Sequence, residues 1–250
     1  MRDVSLFVSK PEDRCFRLKN MARKRRKRFE SDWQPNLPFD GKKQRRPRGK
    51  QKRRPDSGVS HLTRAKVPSG CPQHVVCKLL KGLPRLRSKR THRVLAEVFT
   101  KGKERFGFRL IHYSVQNDHL HFVTEAPSKE ALTRGMQGLS IRIAKALNRL
   151  WGRKGKVFAD RDFSRVLRKP REVRNVLIYV LQNYLHHTTE RWTQPLDFFS
   201  SAPFLADGWR EIDGVLNPPP ELPVADPRCW LLTKGWRRHG LLSVTEAPAH

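Results

Sequence analysis

Residues 106–124, FGFRLIHYSVQNDHLHFVT, contain two strand patterns separated by a turn. In residues 106–114 (FGFRLIHYS), Phe106, Phe108 and Leu110 alternate with other positions, which predicts a half-buried β-strand. Residues 116–118 (QND) are typical of a turn. The alternation resumes in residues 119–124 (HLHFVT), which predicts a second strand.

Outside these two strands, the sequence predicts two helices and two further strands. A β-rich run at 73–80 (QHVVCKLL) comes first, and residues 88–102 then carry apolar side chains at helical spacing. After the two strands, Ser128 is the predicted N-cap of an amphipathic helix that ends near Gly152. Residues 163–168 (FSRVLR) suit another strand.

Pro170 begins a last helix that we expect to continue to about His187, since proline is tolerated at the first helical position. The six elements before it follow the order strand, helix, strand, strand, helix, strand. This order predicts an α+β fold of the ferredoxin-like (RRM-like) type, in which one antiparallel sheet carries helices on one face. The seventh element is an extra C-terminal helix. Many enzymes and binding modules share this plan, so the fold alone does not give the function.

The composition is strongly basic. Among 250 residues there are 53 Lys and Arg against 23 Asp and Glu, a net charge of +30. A protein with no polyanionic partner gains nothing from such self-repulsion, whereas a protein that neutralises phosphates gains affinity through counterion release. The charge therefore predicts a nucleic-acid partner, with an acidic membrane surface as the alternative.

Half of that charge lies in residues 1–70, which hold 22 Lys and Arg against 7 Asp and Glu. Few large apolar residues interrupt them, so the segment cannot bury enough surface to offset the entropy cost of ordering. We predict a disordered arm that contacts nucleic acid. Its first basic block contains Arg23, Lys24, Arg25 and Arg26. Met21, just before this block, is an alternative start of the chain.

Residues 71–190 hold all the predicted strands and helices, and we expect them to form one domain. Residues 191–250 are rich in proline and tryptophan, and we expect an extension in which residues 217–220 (NPPP) act as a linker. A short helix-turn segment at 228–241 would place basic residues beside two tryptophans. This arrangement suits either contact with DNA or packing of the tryptophans on the core.

The cysteines indicate no metal centre and no oxidising compartment. They are Cys15, Cys71, Cys77 and Cys229, and no pair has zinc-finger spacing. Cys71 and Cys77 are expected to be small core residues. The sequence has no apolar run of transmembrane length and no apparent signal peptide, so we expect a cytoplasmic protein without a membrane partner.

His119 and His121 flank Leu120 on a predicted strand, so both imidazoles point to the same side. Two imidazoles in this arrangement can hold a divalent metal ion, although most His-x-His triplets bind nothing. Two neighbouring histidines on an otherwise apolar strand favour the metal interpretation.

The last predicted helix carries Tyr179 and Asn183, about one turn apart and therefore on one face. Gln182 lies nearly in line with them. An amide oxygen beside two imidazoles can supply a neutral third ligand, and a tyrosine can attack a phosphate that a metal polarises. The alternative is a tyrosine packed on the sheet, with both amides on the surface.

Three stretches together are similar to the HUH single-tyrosine transposases, and among these to the REP-associated tyrosine transposases. They are residues 117–124 (NDHLHFVT), 152–161 (GRKGKVFADR) and 170–187 (PREVRNVLIYVLQNYLHH). The letters HUH denote a His–hydrophobic–His triplet, which matches residues 119–121. The resemblance covers about residues 71–190 and does not include the basic arm.

The resemblance implies the chemistry of the site. It implies a divalent ion, Mg²⁺ or Mn²⁺, on two imidazoles and one amide: His119, His121 and Asn183, with Gln182 as the competing amide. Tyr179 would attack a phosphodiester of single-stranded or hairpin DNA, form a 5′-phosphotyrosine and pass the strand to a 3′-hydroxyl. Tyr184 is a weaker nucleophile candidate, because it points to another side of the helix. Members of this family often form homodimers.

On the long central helix, Arg142, Lys145 and Arg149 are spaced by three and four residues and form one basic stripe. The stripe suits contact with a DNA backbone, and it equally suits a solvated helix face.

Other functions stay open at this point. An RRM-like RNA-binding module would need exposed aromatic residues on its central strands, where this sequence has two histidines and one phenylalanine. A domesticated transposase relative would bind DNA hairpins without mobility and keep the same residues. A purely architectural basic protein would leave the histidine pair and Tyr179 unexplained.

Overall fold

The computed structural model describes residues 67–186, 196–214 and 219–246. Within these ranges one antiparallel sheet has five strands: β1 (Gln73–Lys78), β2 (Glu104–Arg105), β3 (Phe108–Val115), β4 (His119–Glu125) and β5 (Phe163–Val166). Their order across the sheet is β2-β3-β4-β1-β5. The α-helices are α1 (Lys89–Gly102), α2 (Lys129–Leu150) and α3 (Pro170–Leu181).

The predicted α+β, ferredoxin-like plan is confirmed. The four longer strands lie in the order β3-β4-β1-β5, which brings the first strand between the third and the fourth of the predicted order. Helices α1 and α2 pack on one face of the sheet, as predicted. Ser128 caps α2 as expected, because its hydroxyl accepts a hydrogen bond from the backbone N–H of Ala131 at 3.2 Å.

The alternation of side chains along β4 divides the molecule into two apolar layers. Leu120 and Phe122 point to the layer that contains α1 and α2. Val123 points to the opposite layer, which contains α3. His119 and His121 share that second side, because residues two apart on a strand face the same way.

The second layer covers the face of the sheet opposite α1 and α2, which the sequence pattern predicts to be exposed. Residues from the C-terminal part of the chain pack there beside α3, including Leu196, Trp209, Trp236 and Leu242. Every residue of β3 is consequently buried, so the expectation of a half-buried strand is wrong. Trp209 and Trp236 are core residues, whereas Trp230 is 46% exposed, so of the two tryptophans in segment 228–241 only Trp236 packs fully in the core.

Phe106 does not belong to a strand, contrary to the pattern. It lies with Gly107 in the two-residue turn between β2 and β3, with φ of 55° and 77° at the two positions. Positive φ at both positions is the geometry of a tight hairpin turn. Phe106 is 70% exposed. The short strand β2 was not predicted, because a two-residue strand has no readable period.

Helix α3 begins at Pro170 as predicted but ends at Leu181 instead of about His187. Gln182 follows the helix, and Asn183–His186 form a 3₁₀ turn. The helical segment predicted at 228–241 is confirmed as two short turns, Leu231–Gly235 and Trp236–His239.

Several expectations lie outside the described residues. They concern the basic arm with Arg23, Lys24, Arg25 and Arg26, Cys15, and the linker residues 217 and 218. Cys77 is a buried core residue as expected, whereas Cys71 is only partly buried. In the described part of the chain, no helix is long and apolar enough to cross a membrane.

Candidate active site

His119 and His121 form the centre of the candidate site. Their ring centroids are 4.7 Å apart and the rings are nearly perpendicular, at 86°. His121 is only 3% exposed, whereas His119 remains partly open to solvent. The two imidazoles therefore lie side by side at the edge between the core and the surface, as the spacing predicts.

Each of the two rings is oriented through its Nδ1 atom. His119 Nδ1 lies 2.7 Å from Asp118 Oδ1, and His121 Nδ1 lies 3.1 Å from His74 Nε2. The hydrogen bond with His119 lowers the pKa of the Asp118 carboxyl. Both rings are therefore oriented through Nδ1 by a neighbouring side chain, as metal-binding histidines often are.

His74 is a member of the site that the sequence did not indicate. It lies on β1, and its ring stacks on that of His121 with centroids 5.3 Å apart. Burial, together with the positive charge of Arg165, lowers the pKa of His74 to about 4. The ring is therefore neutral at pH 7, and it can accept the Nδ1 proton of His121.

Tyr179 of α3 packs against the same histidines. Its ring meets His121 edge to face at 5.2 Å and His74 at 5.9 Å between centroids. The structure thus brings together the predicted tyrosine and the predicted histidine pair, which are separated by nearly sixty residues in sequence.

The two candidate amides follow α3 directly and are both 1% exposed. Gln182 Nε2 donates a hydrogen bond to the carbonyl of Ser243 at 2.7 Å, which holds this side chain against the C-terminal segment. The Nδ2 and Oδ1 atoms of Asn183 are buried and have no hydrogen-bond partner among the described residues. Asn183 lies beyond the end of α3, so the prediction that Tyr179 and Asn183 share one face of a helix is wrong.

Tyr184 lies elsewhere in the structure and is only 3% exposed. Burial raises the pKa of its hydroxyl, and the carboxylate of Asp197 adds to the effect. A buried phenol of raised pKa is poorly suited to attack a phosphate.

The C-terminal segment 240–246 fixes α3 through Arg174. The guanidinium donates to the carbonyls of Gly240 and Leu241 at 3.0 and 3.1 Å, and to both carboxylate oxygens of Glu246 at 2.6 and 2.8 Å. Arg174 is 8% exposed. No signal in the sequence marks this residue, since arginines are frequent throughout the chain.

The basic stripe on α2 lies away from the histidines. Lys145 and Arg149 are exposed and Arg142 is partly buried. Because α2 packs on one face of the sheet and the His119–His121 pair faces the other, the stripe and the site do not form one surface. In the C-terminal turn, the guanidinium of Arg238 stacks over the partly exposed ring of Trp230 at 4.9 Å.

In residues 67–186, 196–214 and 219–246, no group of three or more His, Cys, Asp or Glu side chains is arranged to hold a metal ion. A metal at His119 and His121 therefore depends on a ligand of another kind, and the buried amide of Asn183 is such a group.

Comparison with known proteins identifies the domain. The family model described as "Transposase IS200 like" matches residues 69–183. A REP-associated tyrosine transposase bound to a REP hairpin is 17% identical with a TM-score of 0.45, covering 57% of this chain and 82% of its own. A transposase-like protein from Deinococcus radiodurans is 12% identical with a TM-score of 0.35, covering 52% and 97%.

A bacterial tRNA(His) guanylyltransferase-like protein in complex with GTP is 17% identical with a TM-score of 0.33, and the match covers 46% of this chain and 63% of the other. No curated protein matches the chain. The family model spans the histidine pair, Tyr179 and Asn183. Residues 69–183 are therefore similar to the IS200-like transposase family.

Proposed function

We propose that this transposase cuts and rejoins single-stranded DNA, with Tyr179 as the nucleophile. The observation that carries the proposal is the contact of the Tyr179 ring with His121, beside His119. A tyrosine packed against His121, whose neighbour His119 is partly open to solvent, is suited to reach a phosphate bound beside the pair. The net charge of +30 favours a polyanionic substrate.

In the proposed reaction, the Tyr179 oxygen attacks the phosphorus of one phosphodiester. The P–O bond to the preceding 3′ oxygen breaks, which leaves a 5′-phosphotyrosine and a free 3′-hydroxyl. The phenolic proton passes to solvent, and the leaving oxygen takes up a proton. Attack by a 3′-hydroxyl on the phosphotyrosine reverses these steps and joins two strands, so the bond energy is conserved and no external energy source is needed.

The residues also fit a divalent ion such as Mg²⁺ or Mn²⁺, for which we propose His119, His121 and Asn183 as ligands. The fit rests on the buried Asn183 amide, which has no hydrogen-bond partner among the described residues. We favour Asn183 over Gln182 because the Gln182 Nε2 already donates to Ser243, which fixes the orientation of that side chain, although the Gln182 Oε1 is also buried without a hydrogen-bond partner among the described residues. When bound, the ion would supply positive charge to the scissile phosphate.

His74 has a positioning role in this proposal. A histidine that binds a metal through Nε2 carries its proton on Nδ1, and in His121 that proton would be donated to the neutral ring of His74. Asp118 would hold the His119 ring in the same way. These contacts would select the tautomer and orientation that each ligand needs.

The test is a search for the covalent intermediate. The full chain is incubated with single-stranded oligonucleotides from its own genomic flanks, with Mn²⁺ or with EDTA. A DNA–protein adduct that forms only with the metal, and that mass spectrometry maps to Tyr179, supports the proposal. An adduct at another residue, or undiminished cleavage in EDTA, contradicts it.

A further inference from the structure

The exposed ring of Phe163 lies in line with the candidate active site. Val76 of β1 pairs with His121 of β4 on one side and with Phe163 of β5 on the other. Residues directly opposite each other in antiparallel strands point to the same face of a sheet. Neighbouring strands are about 4.8 Å apart, so the Phe163 backbone lies roughly 10 Å from that of His121 along one row.

This half of the sheet face is partly open. Helix α3 packs against β3 and β4, which form the other half of the sheet. Along β1, the residues on the α3 side are partly or fully exposed: His74, Val76 and Lys78. Phe163 itself is 51% exposed on the edge strand. An aromatic ring exposed in this way offers a flat apolar surface on which another ring can stack.

Positive charge flanks the row of Phe163 on both sides. On one side, Arg165 of β5 lies opposite His74 of β1, two residues along the strand from Phe163. The Arg165 side chain is 58% exposed and forms an ion pair with Glu172 of α3. On the other side, Lys78 of β1 lies opposite His119 of β4, two residues along the strand from Val76, and its side chain is exposed. Asp162, the residue before Phe163, is the acidic neighbour along the chain. An aromatic ring between two cations is suited to a nucleotide, with the base on the ring and the phosphates on the cations.

We propose that Phe163 is a stacking platform for an unpaired DNA base next to the phosphate that Tyr179 attacks. The inference rests on the proposed function, because it needs a single strand to reach the histidine pair. A base can stack on a protein ring only when it is not enclosed in a duplex. Such stacking is tolerant of sequence, since every base has an aromatic face. The platform would therefore hold the flanking strand without selecting the target.

The test compares three variants of the full chain in EDTA, so that binding is measured without cleavage. Phe163→Ala removes the ring and Phe163→Trp keeps an aromatic surface. Phe106→Ala is the matched control, because Phe106 is an equally large exposed ring at the hairpin turn beyond the other edge of the sheet. Fluorescence anisotropy reports binding to a labelled oligothymidine at raised salt, which weakens phosphate contacts made elsewhere on the chain.

We expect Phe163→Ala to weaken binding of the single strand about 5- to 150-fold, the range found when one stacked base loses its aromatic partner. Phe163→Trp should restore the affinity, and Phe106→Ala should not change it. An abasic oligonucleotide of equal length keeps the phosphates and lacks the bases, so its affinity should be the same for Phe163→Ala and the parent chain.

Three results overturn the inference: an unchanged affinity in Phe163→Ala, an equal loss on abasic DNA, or an equal loss in the Phe106→Ala control. The inference is also overturned if the parent chain sediments as a dimer, Phe163→Ala sediments as a monomer, and the two have the same DNA affinity. The ring would then be a contact between two copies of the chain. The adduct assay on the parent chain is separate, so an adduct without a Phe163 effect rejects only this inference. A Phe163 effect without an adduct rejects the proposed function.

Discussion

Arg174 of α3 and Glu246 near the end of the described chain form a bidentate ion pair, with N–O distances of 2.6 and 2.8 Å. The same guanidinium satisfies two backbone carbonyls of the C-terminal segment. One side chain therefore connects the helix that carries Tyr179 to a segment more than sixty residues away in sequence.

Replacement of Arg174 by alanine should destabilise the protein by about 2–4 kcal/mol, because it leaves two carbonyls and a carboxylate without their donor. Urea unfolding followed by circular dichroism measures the change. Arg171→Ala is the matched control, since Arg171 lies on the exposed side of the same helix. Equal stability of the two variants would show that the C-terminal contacts do not hold α3.

Tyr179→Phe should abolish the covalent adduct and DNA cleavage while leaving DNA affinity nearly unchanged, because only the attacking oxygen is removed. Gel analysis of the adduct and anisotropy binding test the two parts. Tyr184→Phe, which removes a buried hydroxyl, should still form the adduct. An adduct that persists in Tyr179→Phe and disappears in Tyr184→Phe would reverse the assignment.

The choice between the two amides can be decided by titration with Mn²⁺. Asn183→Ala should raise the Mn²⁺ concentration needed for adduct formation by roughly 10- to 1000-fold, since about 1.4–4 kcal/mol of binding is lost with one ligand. Gln182→Ala should leave that concentration nearly unchanged and lower the stability of the fold, because it removes the hydrogen bond to Ser243. The opposite pattern would make Gln182 the ligand.

The protein should lose stability as the pH falls from about 6.5 to about 4. Burial lowers the pKa of both His92 and His112 to about 4, so these rings stay neutral in the folded chain. In the unfolded chain they take up protons near pH 6.5, and the unfolded state binds more protons throughout that interval. Urea midpoints at pH 7.5 and pH 5 measure the loss. His112→Asn should reduce the loss, because that side chain no longer takes up a proton on unfolding.

Deletion of residues 1–66 should leave the domain able to form the Tyr179 adduct at high DNA concentration. DNA affinity should fall, and the slope of log affinity against log salt should become shallower, because fewer phosphates are neutralised. The loss should be similar for unrelated sequences, since phosphate contacts do not read bases. A truncation that loses target preference and keeps the salt slope would instead indicate a sequence-reading arm.

Local sequence patterns predicted the parts of the fold and site that depend on neighbours along the chain. The alternation in β4 placed His119 and His121 on one side, and Ser128 marked the start of α2. His74 could not be found in this way, because its contact with His121 depends on the pairing of β1 with β4. The early end of α3 was missed because residues 182–187 continue a helix-compatible composition, and tertiary contacts such as that of Gln182 with Ser243 decide where it stops.

The second apolar layer has a consequence for expressing parts of this protein. The family match ends at Asn183, but the layer over α3 is completed by residues from Leu196 to Leu242. A fragment that ends at Asn183 would lack the residues that cover α3, and the apolar side chains of Val173, Leu177 and Leu181 would be exposed to water. We expect such a fragment to self-associate or precipitate, so biochemical experiments should use the intact chain.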